Sequence, residues 1–130
     1  MYTIEVRTTE SDQFVDITKQ VRNIVKKMQI DHGIVVVFTP HTTAGITINE
    51  NADPDVTSDM IKGLNDGIKD LESFEHSEGN SQAHIKSSVI GASETVLIED
   101  SDLVLGTWQG IYFCEFDGPR NRQIMIQVIQ

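Results

Sequence analysis

The C-terminal third of the sequence leaves the chain few folds to choose from. Trp108 to Phe116 reads as a strand, Asp117-Gly-Pro-Arg120 as a turn, and Gln123 to Ile129 as the last strand. Just upstream, Thr95-Val-Leu-Ile98, the turn Glu99-Asp-Ser-Asp102 and Leu103-Val-Leu105 repeat the pattern. Strands joined by turns this short pair antiparallel, because a parallel crossover needs a dozen residues or more.

The rest of the chain is consistent with such a sheet. Tyr2 to Thr8 alternates, with Ile4 and Val6 on one face and Glu5 and Arg7 on the other, as a half-buried strand does. Phe14 to Ile17 is a second short strand after the turn at Ser11-Asp12. Thr18 is placed to cap a helix whose apolar residues, Val21, Ile24, Val25 and Met28, follow helical spacing. Asp31-His32-Gly33 closes that helix, and Ile34-Val-Val-Val-Phe38 is a continuous apolar run expected to be covered on both faces. Ile46-Thr-Ile48 alternates again. Asp53 and Pro54 then open a second helix with an apolar stripe from Val56 to Leu71. Asn80 or Ser81 caps a short helix over Ala83 to Ile90, which Gly91 stops. The expected fold is α+β, a mainly antiparallel sheet or sandwich with two substantial helices and one short one. With 130 residues and no linker or repeat, it is a single domain over residues 1–130.

Charge and composition narrow the function. A formal net charge of -10, with ten scattered Lys and Arg, argues against nucleic acid, which needs clustered cations. No apolar run approaches the roughly 20 residues that span a bilayer, and the first residues do not read as a signal peptide. A single cysteine, Cys114, allows no internal disulfide and fits a cytoplasmic protein.

Three polar clusters carry the candidate chemistry. His76-Ser-Glu-Gly-Asn-Ser-Gln-Ala-His84 holds two of the four histidines, with Glu78 inside it and Lys86 just beyond. One imidazole at a helix start and another on the loop before it suit a metal ion beside an anionic ligand. Two surface histidines in a polar loop is the plainer alternative. His41-Thr42-Thr43 ahead of Gly45 can cradle an oxyanion, and Glu50 and Asp53 lie where a strand ends and a helix begins. The alternative is a polar turn followed by an ordinary Asp cap. Glu115 and Asp117 share one face of a strand and can divide acid and base roles or share a metal. Such carboxylates can equally serve solubility. Cys114, between Phe113 and Phe116, reads as a packed thiol.

Three long blocks, His41 to Asp55, His76 to Lys86 and Leu105 to Arg120, resemble the signature blocks of the YjbQ-like family, described as secondary thiamine-phosphate synthases. The resemblance covers nearly the whole chain. It implies a compact α+β protomer assembling as a homotrimer, with a polar site at subunit interfaces. The implied reaction joins hydroxymethylpyrimidine diphosphate to a thiazole phosphate and releases diphosphate, as a weak activity. Carried over by position, His41, His76 and His84 are the metal candidates, for zinc or magnesium. Glu50, Asp53, Glu115 and Asp117 are the catalytic carboxylates, and Thr42, Thr43, Lys86 and Arg120 the phosphate contacts. Histidine favours zinc, whereas diphosphate chemistry commonly uses magnesium on oxygen ligands. The competing expectation is a non-catalytic trimeric module that binds a metal or a small anion.

Overall fold

The computed structural model describes residues 1–130. In chain order the elements are β1 (Tyr2–Arg7), β2 (Gln13–Asp16), α1 (Thr18–Met28), β3 (His32–Phe38), β4 (Ala44–Glu50), α2 (Pro54–Gly67), α3 (Ser81–Ile90), β5 (Ser93–Glu99), β6 (Asp102–Leu103), β7 (Gln109–Glu115) and β8 (Asn121–Ile129). Five strands form one sheet in the order β1-β8-β3-β5-β6, and three form another in the order β2-β7-β4. Every pairing is antiparallel, so the α+β expectation holds. No helix is long and apolar enough to cross a membrane.

The main core lies where the two sheets and α1 meet. Val35 and Val37 of β3, Ile124 and Ile126 of β8, Ile46 of β4, Ile111 and Phe113 of β7, and Val21 and Val25 of α1 are all fully buried there. A smaller cluster of Ala83, Tyr112, Cys114 and Phe116 fills the other side of β7, beneath α3. The strand covered on both faces is therefore β7, and not β3 as the run Ile34 to Phe38 suggests. In β3 burial alternates: Val35 and Val37 face the core, while Ile34 and Val36 are only half-buried and Phe38 is exposed. A continuous apolar run shows that both faces are apolar, which leaves open what covers the second one.

Local capping also departs from expectation at one helix and follows it at another. The cap of α1 comes from Asp16, whose Oδ1 accepts from the Thr18 N–H at 2.9 Å and from its Oγ1 at 2.6 Å. Thr18 is thereby free to accept from the Ile111 N–H at 2.8 Å, which ties the helix to β7. At α2 the Asp53–Pro54 start is as expected, Asp53 Oδ1 accepting from the Asp55 N–H at 2.9 Å. That helix ends at Gly67, short of Leu71, which is exposed.

One close approach sets the site. Helix α3 crosses β4 so tightly that a Cβ on Gly45 would meet the Gly91 carbonyl oxygen at 2.9 Å. The Gly91 oxygen accepts from the Ile46 N–H at 3.0 Å, and Gly91 itself, at φ +99, ends the helix. This crossing carries the start of α3, and with it His84, to the end of the smaller sheet where β7 runs into its turn.

Candidate functional site

The turn after β7 is organised by a carboxylate inside the protein. Glu115, the last residue of β7, is 0% exposed. It accepts from the Phe116 and Asp117 N–H groups, each at 3.1 Å, from Thr8 Oγ1 at 2.8 Å and from Arg122 Nε at 2.8 Å. Arg122 Nη2 bonds the second carboxylate oxygen and Thr43 Oγ1, the latter at 2.9 Å. Burial alone would push the Glu115 carboxyl up. The bonds from Arg122, Thr8 and the backbone outweigh it and hold the group below the ordinary carboxylate range. Gly118 is required within this turn, since a Cβ there would run into the Glu10 carbonyl oxygen and lie 2.9 Å from Thr8 Oγ1.

Around this anchor lies a polar cavity of about 420 Å³ with no hydrophobic residue in its lining. The β3–β4 loop contributes Pro40, His41, Thr42 and Thr43. The loop and first turn of α3 contribute His76, Glu78, Asn80 and His84, the β7–β8 turn contributes Asp117 and Arg120, and the start of β8 contributes Arg122. The His76 and His84 rings stand edge to face, 5.4 Å between centroids. Asp117 Oδ2 accepts from Arg120 Nη2 at 3.0 Å and from Asn80 Nδ2 at 2.9 Å. Asn80 occupies the cap position of α3 but spends its amide on Asp117 and caps nothing. Its Oδ1 is shut off from solvent without a partner, at a cost on the order of 1–3 kcal/mol.

His41 is fixed by the backbone. Its Nε2 accepts from the Gln123 N–H at 2.9 Å, so in the neutral ring Nδ1 carries the proton. Partial burial and the Arg122 guanidinium depress its basicity, with Arg120 adding to the effect and Glu115 opposing it. His41 therefore enters the pocket as a neutral N–H donor, with its lone pair already used. That removes it from the expected metal set, and no three His, Cys, Asp or Glu side chains are grouped to hold an ion.

Of the expected site residues, His41, Thr42, Thr43, His76, His84, Asp117 and Arg120 converge on the one cavity. Glu50 and Asp53 do not. They lie at and beyond the far end of β4, and a seven-residue strand spans roughly 20 Å. Glu115 sits beneath the cavity, bonded on all sides. Lys86 is 2% exposed and turned to Asp12, whose Oδ2 accepts from its Nζ at 3.0 Å. Two residues along a helix turn about 200° around its axis, so His84 and Lys86 cannot serve one pocket. Arg122, lining the cavity yet 5% exposed, was not anticipated. The signal was present: it keeps step with Ile124, Ile126 and Val128 on the buried face of β8, where a charge calls for a partner. Cys114 is excluded as a nucleophile because burial pushes its thiol far up.

The profile of the family described as UPF0047 protein YjbQ-like matches residues 2–130. The chain belongs to the YjbQ family. YugU of Bacillus subtilis is 49% identical over 128 residues, covering 98% of this chain and 97% of its own. A UPF0047 protein of Methanocaldococcus jannaschii is 47% identical over 129 residues, covering 99% and 94%. The crystal structure of an uncharacterized YjbQ/UPF0047 protein from Clostridium acetobutylicum superposes with a TM-score of 0.97 at 50% identity, covering 99% of this chain and all of that one. Membership of the YjbQ family and the fold are thereby secure, and the chemistry must come from the cavity.

Proposed function

We propose that the cavity binds a small phosphate-bearing ligand and acts on it by acid–base chemistry. The observation that carries this reading is the pairing of two guanidinium groups, Arg120 and Arg122, with three imidazoles in one mainly polar cavity. Arg120 Nη1 and Arg122 Nη1 take no part in the bonds that fix these side chains, which leaves them for an oxyanion. The Thr42 hydroxyl and the neutral His41 N–H add further donors. The reaction this set supports is the one implied by the family resemblance. The carbon–oxygen bond to diphosphate breaks, its electron pair leaving on the oxygens beside the arginines, and the ring nitrogen of the thiazole phosphate gives its lone pair to the freed carbon to form the C–N bond. The protein would do this in the cytoplasm. Isothermal calorimetry with inorganic phosphate and diphosphate tests the first step. The parent is expected to bind diphosphate, and Arg120→Gln to weaken it by about tenfold, the lower range for a charge-assisted contact. Equal binding by parent and variant overturns the assignment of Arg120.

The binding-module reading is favoured by one observation: the Glu115–Arg122 pair is buried and mutually satisfied, as a structural network should be. Assembly is common to both readings. On the outer face of the larger sheet Ile34 pairs with Leu97 and with Ile129, and Phe38 with Met125. Leu97 is 61% exposed, an apolar strip that a second copy would cover. Light scattering should give three times the chain mass of 14.5 kDa, and Leu97→Asp should release monomers. A monomeric parent at micromolar concentration ends the trimer proposal.

A further inference from the structure

Two open depressions, of about 470 and 450 Å³, run on from the polar cavity. His76 and His84 line both the polar cavity and the first depression, and Phe74 and Ile85 line both depressions, so the three are continuous. The lining changes character along the way. Beyond the histidines the groove is walled by Phe74 and Ile85, then by Ile68 and Leu71. Its polar side chains stand at its two ends. Ser81 lies beside the histidines, and Lys69 is at the far end with its ammonium 3.5 Å from Asp66. Leu71 and Ile85 are 50% and 38% exposed, so this is apolar surface left in water. The walls are held in place. The Phe74 N–H donates to the Leu71 carbonyl at 3.2 Å, and Gln82 Nε2 of α3 donates to the Ile68 carbonyl at 2.7 Å, tying the end of α2 to α3.

We propose that this groove takes the apolar chain of a phosphate ester whose phosphate lies against Arg120 and Arg122, so that the site binds phosphate monoesters of apolar alcohols. The inference rests on the phosphate reading of the polar cavity and goes beyond the heterocyclic substrates given there. Apolar surface that opens from a ligand site is covered at a gain by an apolar part of that ligand. Between Ser81 and Lys69 the groove presents no side chain able to hydrogen-bond, so an amino or hydroxyl substituent would lose its water without replacement, and an alkyl chain loses nothing. A monoester seated this way places its ester oxygen where phosphate gives way to chain, at His76 and His84, the two residues common to both parts. The apolar strip around Leu97 differs in this respect. None of Ile34, Leu97 and Ile129 lines a cavity, which suits that strip to a flat partner surface and this groove to a ligand.

The test is calorimetry with inorganic phosphate and with n-alkyl phosphates from ethyl to octyl. Affinity should rise with chain length, at least tenfold from ethyl to octyl, since one buried methylene contributes up to about fourfold. Leu71→Asn and Ile85→Asn should each reduce that gain by several-fold and leave inorganic phosphate binding as in the parent. Methyl NMR of the parent needs no variant to fold: the Leu71 and Ile85 methyl signals should shift with octyl phosphate and stay in place with inorganic phosphate. Inorganic phosphate bound with no gain at any chain length overturns the groove alone, and so does a gain that leaves both methyl signals unmoved. Light scattering of the folded variants tests the other occupant, because monomers released by Ile85→Asn would make the groove a contact between copies and end this inference. No binding of any phosphate overturns the phosphate reading, and this inference with it.

Discussion

Replacing Glu115 by Gln should cost the protein about 3–5 kcal/mol, the usual penalty for removing one partner of a buried ion pair. Native domains are stable by only about 5–15 kcal/mol, so this one isosteric change removes roughly a fifth or more of the total. The reason is geometric. The carboxylate accepts from Thr8, from two turn N–H groups and from Arg122. An amide can present one oxygen, and its NH2 must face a donor. Arg122 would then be an uncompensated cation in the core face of β8. The pH dependence follows with a definite sign. Glu115 has a lower pKa folded than unfolded, so its contribution is full above the ordinary carboxylate range and is lost as pH falls through and below it. His41 is also lowered, from 6.5, so the unfolded chain takes up its proton first and stability declines earlier as pH falls below neutrality. Denaturant unfolding between pH 8 and about pH 2 should show both steps in the parent and only the upper one in Glu115→Gln. A loss under about 1 kcal/mol at pH 7 would mean the pair contributes little beyond what an amide supplies.

That prediction also marks where the sequence stops being informative. Strand alternation, the Asp53–Pro54 start and the Gly91 stop are local signals, and each appears in the structure where the residues indicate it. Asp16, rather than Thr18, capping α1 is nearly local: two oxygen-bearing side chains lie close together, and contact with β7 decides which one accepts. The site is less legible because its assignments depend on direction and depth. Alternation would put Glu115 and Asp117 on one strand face, yet β7 ends at Glu115, which is buried, and Asp117 lies beyond it and lines the cavity. The chain turns between them, and Thr8, from the far end of the sequence, closes over the first. His41 joins His76 and His84 because the β3–β4 loop meets the β7 turn, the Thr43 oxygen accepting from the Phe116 N–H at 3.1 Å. No spacing reveals that contact. Nor does any spacing reveal that a backbone N–H from β8 occupies the His41 lone pair and turns an expected ligand into a donor.

The largest functional effect is expected at the paired imidazoles. His84 stands in the first turn of α3 and His76 on the loop before it, 5.4 Å apart across the cavity that holds Arg120 and Arg122. If the arginines stabilise a departing diphosphate, the remaining assistance is a proton for its leaving oxygen, since the attacking thiazole nitrogen has none to lose. His76, Glu78, His84 and Asp117 are the cavity residues that can move a proton, since Glu115 is buried in an ion pair and His41 accepts a backbone bond. His76→Ala and His84→Ala should each slow formation of thiamine phosphate from its two phosphorylated precursors by on the order of a hundredfold, the usual scale for a positioned acid or base. Asp117→Asn should also slow it, because Asp117 holds Arg120 and Asn80 in place. Glu50→Gln should leave the rate unchanged, and Asp53→Asn should do the same, Asn being an equivalent cap. Thermal unfolding in parallel separates a lost proton donor from a lost fold, and diphosphate binding separates chemistry from affinity. Histidine variants that fold, bind diphosphate and turn over at the parent rate would leave the cavity as a binding site without catalysis. Variants that bind but no longer turn over would make His76 and His84 the groups that protonate the leaving diphosphate.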